Sequence, residues 1–143
     1  CIPSRHGREG FAVFEPVEER FVAAAERQLG RGFPARYREW LIACNGGEVE
    51  VDGVWWDLHP VADDSDPRRI GPTWDNVCRQ TDLARLLGGF PEQAISIGED
   101  GSGDRLILLQ REPGGRLAPA VWQHDSGSFG WADSDVEATF ARD

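Results

Sequence analysis

Between residues 33 and 47 the stretch FPARYREWLIACNGG sets Tyr37, Trp40, Leu41 and Cys44 at i, i+3, i+4 and i+7, one apolar stripe along a helix. Arg36, Arg38 and Glu39 take the remaining surface. Pro34 presets the first turn, and Asn45-Gly46-Gly47 supplies residues that tolerate the positive φ at which a helix stops. Upstream, Val17, Phe21, Ala24, Ala25 and Leu29 keep helical spacing as far as Gly30, with Pro16 suited to the first helical position. Glu15, Glu18 and Glu19 there complement the positive end of the dipole. Only Arg31-Gly32 separates the two patterns, so an αα-hairpin is expected. Residues 1–13 show no periodicity and read as an irregular entry.

After residue 47 the period changes to two. EVEVDGVWWDLHP holds Asp52-Gly53, a type I′ turn that pairs Val51 with Val54, Glu50 with Trp55 and Val49 with Trp56. This register puts Val49, Val51, Val54, Trp56 and Leu58 on one face and Glu50, Trp55 and Asp57 on the other. Trp55 is then either covered by a second helical layer or partly exposed. Residues 61–73 read as a long acidic loop. Trp74, Val77 and Cys78, then Leu83, Leu86 and Leu87, suggest one broken helix or two short ones. Strands are expected over 94–97, 105–110 and 118–124, with a short one at Phe129 and Trp131. Ser134 and Glu137 match the capping box of a final helix carrying Val136 and Phe140. The fold class is therefore α+β: a single domain over 1–143, its twisted, mainly antiparallel sheet packed by an N-terminal helical hairpin, a middle helix and a C-terminal helix.

Composition narrows the function classes. The 143 residues carry a net charge of −10, and every one of the 15 basic residues is Arg. Such a surface repels phosphate backbones and attracts cationic proteins, which argues against nucleic acid as a partner. No apolar run reaches the about 18 residues of a membrane span, and the first ten residues lack the apolar region of a signal peptide, so no membrane partner and a cytoplasmic location are expected. The chain begins at Cys1 and holds no Met, which suggests a removed initiator or numbering that starts inside a longer chain. The cysteines, Cys1, Cys44 and Cys78, are odd in number and widely spaced, as reduced thiols would be.

Candidate chemistry is weak throughout. GEDGSGD at 98–104 alternates Asp100, Ser102 and Asp104 like a calcium loop, but Arg105 stands where the sharp turn needs Gly and Arg111 where a bidentate Glu belongs. The same glycines lack phosphate-loop spacing, and the adjacent carboxylates would repel an anion. His124 and Asp125, with Ser126 and Ser128 nearby, are sequence neighbours that point to opposite faces of a strand and so make no triad. No catalytic residue, metal or cofactor is assigned.

Taken together, QLG at 28–30, FPARYREWLIACNGG, VWWDLHP and AISIGEDGSGDRLILL resemble the SUKH superfamily, and the likeness covers about Val17 to Phe140. Phe33, Trp40 and Gln110 are conservative departures from the usual Leu, Phe and acidic residue at those positions. The resemblance implies a non-enzymatic bacterial immunity protein that binds and neutralises a cognate toxin, often a nuclease; a monomer or weak homodimer is expected. A regulatory interaction scaffold, as the fungal relatives suggest, is the alternative. An enzyme would instead need a deep pocket holding carboxylates of raised pKa. Contact residues vary within such a family. Nomination therefore rests on charge and expected exposure: Glu48, Glu50, Asp52, Trp55 and Asp57 of the hairpin, Asp63, Asp64 and Asp66 of the acidic loop, and Glu99, Asp100 and Asp104 of the glycine-rich loop.

Overall fold

The two N-terminal stripes fold as their spacing requires. In the computed structural model, which describes residues 15–141, they form α1 (Glu19–Leu29) and α2 (Ala35–Cys44). Val22 and Ala25 of α1 pack with Tyr37 and Leu41 of α2 in the core. One carboxylate fastens the link between the helices. Glu26 Oε2 accepts the Phe33 N–H at 2.7 Å, and Oε1 accepts Arg38 Nε at 2.9 Å. Pro16 lies outside α1, contrary to expectation. Val17 is instead buried ahead of the helix and donates its N–H to the Ile42 carbonyl at 3.0 Å, tying the entering chain to α2. The irregular segment expected at 1–13 lies outside the described residues.

Asn45 shows why α2 must end where it does. Its φ of 44° is left-handed, and its buried side-chain amide both donates to the Val61 carbonyl at 3.1 Å and accepts the Val61 N–H at 2.8 Å. The amide thus behaves like one rung of a sheet, fixing the chain that leaves the first hairpin. That hairpin is β1 (Glu48–Val51) and β2 (Val54–Leu58), in the register that Asp52-Gly53 dictates: Val51 opposite Val54, Glu50 opposite Trp55, Val49 opposite Trp56. Four further strands follow, β3 (Ile95–Glu99), β4 (Arg105–Gln110), β5 (Leu117–Gln123) and β6 (Ser128–Trp131). All are antiparallel neighbours in sequence order, one six-stranded meander.

The sheet buries both faces, against different elements. On one, Val49, Val51, Trp56, Leu58, Ile97 and Leu106 pack against α1, α2 and the C-terminal Phe140. On the other, Ile107, Ala120 and Trp122 form a smaller core closed by Phe90, whose ring meets that of Trp122 edge-on at 5.4 Å. Gly89 passes so close to Gly127 that a Cβ would lie 2.4 Å from its carbonyl oxygen, and its own carbonyl accepts Trp122 Nε1 at 3.3 Å.

Three local expectations change. The acidic loop contains a short helix, α3 (Pro67–Ile70), which Asp66 caps by accepting the Arg68 N–H. The middle segment is a single helix, α4 (Val77–Ala84), with Trp74, Leu86 and Leu87 outside it and exposed. The final helix, α5 (Val136–Thr139), is capped by Asp135 accepting the Ala138 N–H, one residue beyond Ser134, so the expected Ser134–Glu137 box does not form. Among the cysteines, Cys78 is free and buried, whereas Cys44 is disulfide-bonded, contrary to the expectation of reduced thiols. Cys1 lies outside the described residues.

Candidate functional site

Strand pairing gathers part of the nominated set into one row. Glu48 stands opposite Asp57, Asp57 opposite Glu99, and Glu99 opposite Arg105. Side chains at paired positions share a face, so three carboxylates line up across β1, β2 and β3, and the Arg105 guanidinium ends the row. Glu50 and Trp55, themselves a pair, flank it on the same face. Glu50 and Glu99 are exposed, and Glu48, Trp55 and Asp57 are half-buried. The joint between β2 and β3 is narrow. A Cβ on Gly98 would lie 2.8 Å from the Asp57 carbonyl oxygen, so glycine there lets the strands approach and brings Asp57 and Glu99 together.

Arg105 is held from behind. Its Nη1 donates to Ser96 Oγ and Gln80 Oε1, both at 2.9 Å, and burial pulls its pKa down, opposed by the charges of Glu99 and Asp75. The cation is therefore positioned by α4 and β3 rather than reaching across the acidic row.

The remaining nominees, Asp64 apart, bond to neighbours within the fold. Asp52, at the turn, accepts the Asp133 N–H with both carboxylate oxygens at 3.2 Å, linking the hairpin tip to the far end of the sheet. Asp63 was expected to be exposed but is only 4% exposed. It accepts the Ser65 hydroxyl at 2.6 Å, the Ser65 N–H and Arg69 Nη1. Burial works to raise its pKa, yet these bonds and the Arg69 charge together hold it below the ordinary value of 3.8. Asp66 is the α3 cap. Asp64 is exposed beside them. In the glycine-rich loop, Asp100 accepts the Ser102 hydroxyl and N–H, so the alternating residues bond to one another. Asp104 lies 2.6 Å from His124 Nδ1 and accepts the His124 N–H, and this ring contact chiefly lowers its pKa.

The carboxylates that shift, Asp63, Asp66 and Asp104, all shift down, opposite to what a general acid needs. Between α1 and α4 runs an open groove of about 380 Å³ lined by Phe21, Ala24, Trp74, Cys78 and Leu83, with Asp82 its one carboxylate. Among the described residues no group of three His, Cys, Asp or Glu side chains is placed to hold a metal, and no helix is long and apolar enough to cross a membrane. Sequence reasoning missed Arg105 as the end of the acidic row; only the β3–β4 register reveals it.

Comparison with known proteins agrees with the likeness noted from the motifs. A family model described as SMI1 / KNR4 family (SUKH-1) matches residues 16–140. No curated protein and no solved structure matches the chain.

Proposed function

Because the chain belongs to the SMI1 / KNR4 family (SUKH-1), we propose that it is a non-enzymatic bacterial immunity protein that binds and neutralises a cognate, basic, nuclease-type protein toxin. The observation that carries this reading is the carboxylate pair Asp57–Glu99, flanked by Glu50 and Trp55, on a chain of net charge −10. A nuclease presents a cationic surface to its phosphate substrate. A rigid array of carboxylates at strand spacing competes for that surface, and Trp55 supplies an aromatic anchor beside it. Backbone pairing fixes the row before binding, so little conformational entropy is lost on association. Of the nominees, Glu50, Trp55, Asp57 and Glu99 form the proposed contact, and Glu48, whose carboxylate oxygens are both buried, lies beneath it. Asp52, Asp63, Asp66, Asp100 and Asp104 support the elements around it.

A cytoplasmic location belongs to the same proposal. The experiment is coexpression with the product of the gene immediately upstream, scored for host survival and copurification. Rescue with a stoichiometric complex supports immunity. An upstream product that is not toxic and forms no complex removes the reading and leaves a regulatory scaffold.

A further inference from the structure

Cys44, the last residue of α2, is buried and its sulfur is in a disulfide, whereas Cys78 is free. The sequence holds one further cysteine, Cys1. Within one chain, Cys1 is therefore the sulfur left to bond Cys44. The other end of the segment that Cys1 begins is fixed close by. Glu15 pairs with Arg69 at 3.0 Å, the Pro16 carbonyl accepts Arg69 Nη1 at 3.3 Å, and Val17 donates its N–H to the carbonyl of Ile42, two residues before Cys44. A bond from Cys1 to Cys44 thus makes a loop of residues 2–16, with both ends at the last turn of α2.

Reach and charge say what such a loop can cover. At roughly 3.3–3.6 Å per extended residue it travels about 25 Å out and back. Cys44 ends α2 just before Glu48 begins β1, the outer strand of the sheet. Packed layers lie about 10 Å apart, so the loop is long enough to pass around that edge onto the face of Glu50, Trp55, Asp57 and Glu99. Ahead of Glu15 it carries Arg5, His6 and Arg8 against one carboxylate, Glu9, and the face it reaches is acidic. Both carboxylate oxygens of Glu48 are buried opposite Asp57, a placement that calls for a cation. Glu48, Trp55 and Asp57 are each engaged by a bond, ring or charge contact, as Cys44 is.

We infer that residues 1–14 are a strap over the acidic face, held by a Cys1–Cys44 disulfide and by pairing of Arg5 and Arg8 with Glu48 and Asp57. The strap occupies the surface assigned above to a basic partner, so it is an autoinhibitory contact under redox control; the inhibitory role rests on that assignment, the strap does not. Opening it is a thiol–disulfide exchange. Two glutathione thiols give two electrons and two protons to the Cys1 and Cys44 sulfurs, whose S–S bond breaks, and leave as oxidised glutathione. Oxidised glutathione closes the strap by the reverse exchange. The face is open where thiols are kept reduced and covered where they are not.

The full chain, equilibrated with oxidised or with reduced glutathione, provides the test. Tryptic mapping of the oxidised protein without reductant should join the peptide that begins at Cys1 to the one that carries Cys44, and leave Cys78 as a thiol. Limited proteolysis reads the docking. Trypsin should cut after Arg5 and Arg8 at least about tenfold faster in the reduced chain than in the oxidised one. Cys1→Ser should be cut at the reduced rate in both conditions, and Asp57→Asn, which keeps the disulfide, should be cut faster than the oxidised wild type. Thiols at all three positions, a bond from Cys44 to any other sulfur, equal cleavage of the wild type in the two states, or Asp57→Asn cut as slowly as the oxidised wild type would overturn the inference. No toxin enters these measurements, so their failure is distinct from failure of the immunity reading.

Discussion

Asp57 and Glu99 stand directly opposite each other on β2 and β3, two like charges at a position where opposite charges would stabilise the sheet. Arg105 faces Glu99 from the other side, so Glu99 has one like and one opposite neighbour. Each such pair is worth about 0.2–1 kcal/mol, and the two nearly cancel. Glu99→Gln should therefore leave folding stability within about 0.5 kcal/mol by urea unfolding while it weakens toxin binding. A clear loss of stability would assign Glu99 to the fold instead of the contact.

His59 makes stability depend on mildly acidic pH. Burial pushes its imidazole down to about 4, the nearby Arg105 charge adds to that, and Asp75 opposes it. Its Nε2 has no hydrogen-bond partner among the described residues, so the neutral ring is what the fold accommodates. Between pH 6.5 and about 4 the unfolded chain binds a proton that the folded chain does not. Stability from this group is complete above 6.5 and lost as pH falls, by about 3 kcal/mol at pH 4. His59→Phe should flatten that part of the curve. The contribution of Asp63, whose pKa is lowered, disappears only at still lower pH, below its ordinary 3.8. Unfolding free energies at pH 7, 5 and 4 for both proteins provide the check.

Asp63→Ala should destabilise without touching the toxin contact. It strips Ser65 and Arg69 of their acceptor next to α3, a loss of about 1–3 kcal/mol. Thermal unfolding would fall, and the affinity of the folded fraction would stay at the wild-type value. A selective loss of affinity would return Asp63 to the binding surface.

Asn45→Gly isolates the amide that imitates a sheet rung. Glycine keeps the left-handed backbone, so the substitution removes only the two bonds to Val61, whose N–H and C=O are left buried. The expected cost is about 1–3 kcal/mol in urea unfolding. An unchanged midpoint would mean that solvent reaches Val61 and replaces the amide.

Local signals made much of the fold legible. Asp52-Gly53 sets a turn that admits one register, and the pairs Val51–Val54, Glu50–Trp55 and Val49–Trp56 follow from it. Arg105–Gln110 was bounded by glycine-rich turns on both sides and emerged with those ends. Where several residues compete for one role, the sequence alone misled. Ser134 and Asp135 can both cap α5, and tertiary placement selects Asp135. Asp63 looks like any exposed acidic residue until Arg69 and Ser65 fold back upon it. The acidic row is non-local by nature. It draws on Glu48, Asp57 and Glu99, which only the β1–β2–β3 pairing makes neighbours.

The most direct test of the binding surface is the affinity of single charge reversals for the toxin, measured by calorimetry at low and at high salt. Glu99→Arg and Glu50→Arg, on the carboxylate row and its flank, should each weaken binding at least about tenfold, or 1.4 kcal/mol. Asp64→Arg and Asp100→Arg, away from the row, should act mainly through the association rate, and wild-type affinity should fall with salt. Normal affinity for Glu99→Arg and Glu50→Arg, with the loss falling on Asp64→Arg or Asp100→Arg, would contradict the assignment of the β1–β2–β3 face.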